Sequence, residues 1–275
     1  MPRSVLFQSR FRKISGRCAG ALVVLLFCAP VVSAEIVTPS AGVIRCDDGT
    51  VRAVYGIERS FVLGDPLAAS ADAVSFSDSG GLVSVRGEIL LLLANGAPVA
   101  KYQAGEEKPV LSIDGLLPSA IVWLPSSQAI LHWDGVSFVK VPLAGPVQGT
   151  VTSIRKTDHK AELLVLDDGV VSAIAINLDS GGVLSSRLLP GIATAAFQQK
   201  EYVAYRDERG LEFETLDGGR RLVQVPEGGL TIERMASGWL HLKSVKSGRH
   251  WALHMTGADW AISELPARAA ERGGK

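Results

Sequence analysis

Five histidines, one cysteine beyond residue 34 and two carboxylate pairs are the groups in this 275-residue chain with chemistry to offer. The pairs Asp47-Asp48 and Asp167-Asp168 hold oxygen ligands for Ca²⁺, or an acid and a base, but each is followed by glycine. A hairpin turn asks for that dipeptide, because the Asp side chain caps the turn and glycine accepts positive φ. A Ca²⁺ site takes six or more oxygen ligands, so the turn reading is preferred. His241, His250 and His254 lie on two expected strands joined at Ser247-Gly248. A two-residue turn there sets His241 opposite His254, with His250 on the same face, since strand side chains alternate. Two such imidazoles suit a metal, yet those strands carry no Asp, Glu or Cys as a third ligand. The alternative is packing of Trp239, His241, Trp251 and His254 between sheets. His132 and His159 are isolated. Cys46 has no visible His or helix N-terminus to lower its pKa, and reads as a small buried strand residue.

Other constellations are missing. The chain has no Gly-x-Ser-x-Gly elbow, phosphate loop, His-Glu-x-x-His or Cys-x-x-Cys. The sequence therefore assigns no catalytic, cofactor-binding or metal residue, and no cofactor. Glu58, Asp65, Asp114 and Asp158 fall in expected connections and are the acids that could gather at one mouth of a ring. Trp123, Trp133, Trp239, Trp251 and Trp260 could line a sugar-binding face, but they fall within expected strands and read mainly as core.

The elements that must position these groups begin after residue 34. The first 34 residues contain five basic residues and no acid, an uncharged run from Cys18 to Ala34, and small residues at Val32-Ser33-Ala34. That is the layout of a secretory signal. Cleavage after Ala34 leaves one cysteine, Cys46, and no intrachain disulfide; an uncleaved leader would be a membrane anchor. Phe27 stands where a lipobox needs a small residue, which argues against lipidation at Cys28. The remainder carries 23 basic against 28 acidic residues. A mildly acidic body argues against nucleic acid as a partner, and against an anionic membrane surface beyond any retained leader, because both need a basic field.

Short β-branched and aliphatic runs separated by Gly, Asp, Asn and Ser predict an all-β chain. Turn glycines at positions 96, 135, 181, 218 and 257 recur about every 40 residues. With about four strands per period, this predicts a β-propeller of four-stranded antiparallel blades. Five units are expected over roughly 73–103, 110–143, 151–189, 193–225 and 231–265. Upstream, strands at 42–46, 50–55 and 61–63 resemble the second half of a unit. They give six blades if they form their own, the preferred count, or five if they extend the last. The domain is expected over 35–265, followed by a polar tail at 266–275.

Residues 73–85, Ala-Val-Ser-Phe-Ser-Asp-Ser-Gly-Gly-Leu-Val-Ser-Val, resemble the Phe-Ser-Pro-Asp-Gly hairpin that opens WD40-like and TolB-like blades, without its proline. The match covers one hairpin. Val51-Arg-Ala-Val-Tyr-Gly-Ile with Phe61-Val-Leu-Gly64 resembles uncharacterised secreted β-propeller-like proteins of environmental bacteria. Both resemblances imply fold more than activity.

The expected function is that of an exported interaction module, secreted or periplasmic, whose loop face binds an envelope or extracellular protein, a peptide or a glycan. The alternative is a carbohydrate-active hydrolase or lyase with acids at the mouth. Short connections favour binding over catalysis. Export predicts that intact-mass analysis of the secreted or periplasmic protein finds Glu35 at the N-terminus; a full-length cytoplasmic chain would refute the leader.

Overall fold

The computed structural model describes residues 39–57, 60–189, 193, 195–198, 202–207, 210–215, 219–225, 229–256 and 259–266. The expected leader lies outside these residues, as does all of the tail except Pro266. The described chain is a six-bladed β-propeller, as its repeats predict.

The first sheet comprises β1 (Ser40–Arg45), β2 (Val51–Ile57) and β3 (Ser60–Ala68). The second blade is β4 (Ala71–Ser77), β5 (Gly80–Val85), β6 (Glu88–Leu93) and β7 (Pro98–Gln103). The third is β8 (Val110–Ser112), β9 (Ile121–Leu124), β10 (Ala129–Trp133) and β11 (Phe138–Pro142). The fourth is β12 (Thr150–Thr157), β13 (Lys160–Asp167), β14 (Val170–Asn177) and β15 (Val183–Leu188). The fifth is β16 (Ala195–Gln198), β17 (Tyr202–Asp207), β18 (Gly210–Thr215) and β19 (Arg220–Val223), and the sixth β20 (Leu230–Ala236), β21 (Trp239–Ser244), β22 (His250–Thr256) and β23 (Asp259–Leu265). Every blade is an antiparallel meander in chain order. The upstream strands thus build their own three-stranded sheet and do not join the last blade as extra strands.

Alternation along the strands explains why the blades assemble. All four residues of β9 are buried, but they face two ways. Ile121 and Trp123 pack against Ile154 and Leu163 of the fourth blade, whereas Val122 and Leu124 pack against Leu82 and Ile89 of the second. A strand apolar on both faces needs cover on both. The same arrangement repeats around the ring. Tyr205 packs on Leu164 and Val171, Phe213 on Leu240 and Trp251, Met235 on Ile44 and Val54, and Val51 on Val74 and Val83. Each seam between neighbouring sheets therefore holds its own apolar cluster. Trp123, Trp133 and Trp251 are buried in these seams, so the core reading holds for them.

The two carboxylate pairs behave as turns. Asp48 Oδ1 accepts from the Thr50 amide at 2.8 Å and the Thr50 hydroxyl at 2.6 Å, and Gly49 adopts φ +78°. Asp168 and Gly169 both have positive φ between β13 and β14.

The first sheet enters with reversed polarity. The N-terminal ends of β4, β8, β12, β16 and β20 all line one end of the central channel, so these five inner strands run parallel. The Ala71 amide, at the start of β4, donates to the carbonyl of Gly49, beyond the end of β1. Gly42 lies against Met235 near the end of β20, while Arg45 meets Glu233, nearer its start. β1 therefore runs opposite to both neighbours, as the second strand of a blade would, and β20 and β4 touch directly inside it. The first sheet is thus a unit lacking only its first strand, three strands where half a unit was expected. Packing here is incomplete: a cleft of about 720 Å³ remains between the first sheet and the second blade, lined by Val43, Leu67, Phe76, Leu92 and Met235.

Gly42 is required by that approach. Its φ is +126°, and a Cβ there would collide with the Met235 carbonyl. Gly42→Ala is expected to cost about 3 kcal/mol, lowering Tm by roughly 10 °C. Gly96→Ala, at φ +81° but with open space around it, is expected to cost about 1 kcal/mol. Equal melting shifts for the two variants would remove the collision argument.

Candidate functional site

Five parallel strands leave space on the axis that their side chains do not fill. Where they begin lies a cavity of about 520 Å³, walled by Val110, Thr150, Thr152, Phe197 and Thr231, with Asp72 and Glu233 also in the lining. That volume falls within the range of small-ligand sites, roughly 300–1,000 Å³. The walls are chiefly short apolar and hydroxyl side chains.

Arg234 of β20 lines the same cavity and crosses the channel. Its Nη1 donates to the Ile113 carbonyl at 2.9 Å and to Asp114 Oδ1 at 2.7 Å. Only 6% of this side chain is exposed. The pair does not bridge a seam between adjacent blades, because β4 stands between β8 and β20 and contacts both. A buried guanidinium needs such partners, since an unpaired charge in this setting is strongly destabilising. Asp114 is therefore the counter-ion of Arg234.

The other expected acids are placed elsewhere. Asp65 lies on β3, the outermost strand of the first sheet. Asp158 sits in the turn after β12 at φ 51°, and Glu58 lies outside the described residues. Asp65 and Asp158 thus stand on different sheets, away from the Arg234–Asp114 pair.

A second polar assembly fills the seam between the sixth blade and the first sheet. His241 and His250 are each 2% exposed, with His241 Nε2 2.8 Å from His250 Nδ1 and the rings stacked at 16°. His241 Nδ1 lies 3.4 Å from Glu233 Oε2, and Glu233 Oε1 lies 3.4 Å from Arg45 Nη2. At the other end, His250 Nε2 is 3.3 Å from Asp47 Oδ1, and Lys243 Nζ is 2.5 Å from that oxygen. The assembly leads from a half-exposed turn at Asp47 to Glu233 on the cavity wall.

Charge balance sets how these groups titrate. Burial pushes the His250 pKa down and the His241 ring adds to it, against the opposing pull of Asp47. For Glu233, burial pushes upward, but His241 and Arg45 outweigh it and hold the carboxyl below its ordinary value. Burial also raises Asp47, and Lys243 with His250 more than compensates. Cys46 is pushed up chiefly by burial, which leaves an unreactive thiol.

The expected histidine register is corrected here. His241 stands opposite Ala252, and His254 stands opposite Trp239. The chain turns through four residues, 245–248, with the Ser244 amide donating to the Arg249 carbonyl. His254 stacks on Trp239 at 4.0 Å between ring centroids, so it does not join the other two histidines. His241 meets His250 on the diagonal instead. Glu233 was missed because a bulge between Arg234 and Ala236 turns it toward His241; an unbulged hairpin at Ser237-Gly238 would put Leu242 there. Asp47 comes from a different sheet and leaves no local signal. Among the described residues, no three His, Cys, Asp or Glu side chains converge as a metal site. His159 is exposed beside Asp179 at 4.0 Å, and His132 is half-buried with its pKa lowered by burial and Lys156.

No protein-family model and no curated protein sequence matches the chain. Solved structures do. A nidogen/laminin complex aligns at 11% identity and TM-score 0.54, over 82% of this chain and 99% of that one. BamB from Moraxella catarrhalis aligns at 17% identity and TM-score 0.37, over 84% and 78% of the two chains. The β-propeller domain of Cps50 (Swd1) from Myceliophteria thermophila aligns at 12% and 0.49, over 84% and 89%. At these identities the likeness is one of fold. No helix among the described residues is long and apolar enough to cross a membrane.

Arg234→Met strands Asp114 and the Ile113 carbonyl and is expected to cost about 3 kcal/mol in urea unfolding. Adding Asp114→Leu should recover most of that loss. A double variant no more stable than the single would show that the pair does not act as a unit.

Proposed function

We propose that this chain is an exported propeller module that binds a protein, peptide or glycan at the face where its five inner strands begin. The observation that carries the reading is the cavity of about 520 Å³ on the axis at that face, walled by Thr150, Thr152, Phe197 and Thr231. Rigid sheets hold these groups in place, and an apolar pocket with a few convergent hydroxyls suits recognition of a small group or chain end. Asp114 is committed to Arg234 and Glu233 to Arg45 and His241. Acid chemistry that used Asp114 or Glu233 would have to break one of those pairings. The nidogen/laminin structure is of a protein complex, which supports protein partners in general for a fold of this shape. Export rests on the leader at 1–34, and a periplasmic or extracellular location follows from it.

The test uses residues 35–275, immobilised and presented with envelope-protein extracts and a glycan panel. Thr152→Trp, which fills the cavity, is expected to reduce retention of the bound partner at least tenfold. Val183→Arg on the exposed outer strand β15 should leave it unchanged. Retention insensitive to Thr152→Trp would place binding elsewhere and overturn the reading.

A further inference from the structure

The two buried imidazoles between the sixth blade and the first sheet pose a counting problem. They present four ring nitrogens to three contacts: His241 Nδ1 to Glu233, His241 Nε2 to His250 Nδ1, and His250 Nε2 toward Asp47. Two neutral rings carry two N–H groups. One of these occupies the central 2.8 Å contact, so only one carboxylate can face an N–H and the other faces a lone pair. A third proton gives each carboxylate a donor. A fourth sets N–H against N–H across that contact and breaks it. The outer link is already imperfect, since His250 Nε2 is buried without a well-directed hydrogen bond although Asp47 is 3.3 Å away.

We propose that His241 and His250 share one extra proton between Glu233 and Asp47, and that a second extra proton releases the first sheet from the last blade, making this seam an acid-sensitive latch. The 2.8 Å contact that this second proton breaks lies within the sixth blade, and the two rings it parts face Glu233 and Asp47, whose links join different sheets. Arg45 and Asp47 belong to the first sheet and its turn, whereas Glu233, His241, Lys243 and His250 belong to the sixth blade. These are also the charged groups that face the rings. Asp48 is turned onto Thr50, and Arg52 is held by Thr50 and the Gly64 carbonyl, so neither enters the pair. The seam's apolar cluster of Ile44, Val54, Met235 and Leu265 remains when the latch opens. Opening is thus a loosening of one sheet, distinct from unfolding of the ring.

The direction with pH follows from the titrating groups. His250 is held below its ordinary 6.5, so its contribution to stability is complete above 6.5 and is lost as pH falls through its depressed folded value. Glu233 and Asp47 are held below their ordinary 4.5 and 3.8. Their contributions persist to lower pH and are lost only as pH falls through their own depressed values. The latch therefore opens on mild acidification, before the carboxylates titrate.

The proposal goes beyond the binding reading and needs no ligand for its test. Residues 35–275 would be studied by imidazole ¹⁵N NMR and by hydrogen exchange from pH 8 to pH 5. At pH 7, three of the four nitrogens of His241 and His250 should be protonated. On acidification, exchange of β1 amides relative to β13 amides in the same molecule should rise at least fivefold. His250→Gln, which offers hydrogen bonds but no titration, should flatten that ratio. A wild-type ratio independent of pH, or two neutral rings at pH 7, would overturn the latch; both readings come from the unmodified sequence and stand even if the variant fails to fold.

Discussion

Every element of this molecule answers to one constraint: sheets that are apolar on both faces must be covered on both. Ile121 and Trp123 turn to one neighbour, and Val122 and Leu124 to the other. A row of such sheets would end in two uncovered faces. Closing the row into a ring leaves none, and each sheet can then leave its outer strand to solvent, as fully exposed β15 does. Burial of this kind, summed over six seams, is the dominant favourable term in folding such a domain.

Ring closure falls at the seams of the first sheet. Successive blades two to six are joined covalently by short connections, but the sixth blade and the first sheet meet without one. Their seam combines an apolar cluster around Ile44, Val54 and Met235 with the ionisable assembly from Arg45 to Lys243. The reversed polarity of β1 forces the close approach at Gly42. It also leaves the inner ring to five strands, with a cleft behind β1 where the packing is incomplete. Charged side chains thus tie the joint that non-covalent forces alone hold.

The axis shows the same economy. Arg234 reaches across the channel to Ile113 and Asp114, placing a paired charge between inner strands that are not neighbours in the ring. A desolvated ion pair contributes little net stability against an apolar alternative, yet removing one partner is costly. It therefore fixes a geometry, holding Arg234 in place within the cavity lining.

The repeats, turn pairs and absence of helical periodicity in the sequence determined an all-β propeller, because alternation and turn chemistry are local and the period counts the blades. The tryptophans of the seams were legible for the same reason, and the Asp-Gly pairs were legible as turns. The pairing of His241 with His250 was not, since it depends on a four-residue turn where the sequence suggests two and on a bulge that rotates Glu233. Asp47 and Arg45 joined that assembly, and Asp114 joined Arg234, only through contacts between residues more than 100 positions apart. Local pattern sets which face each side chain takes; which distant charges then meet is decided by how closed sheets stack, and no single strand carries that information.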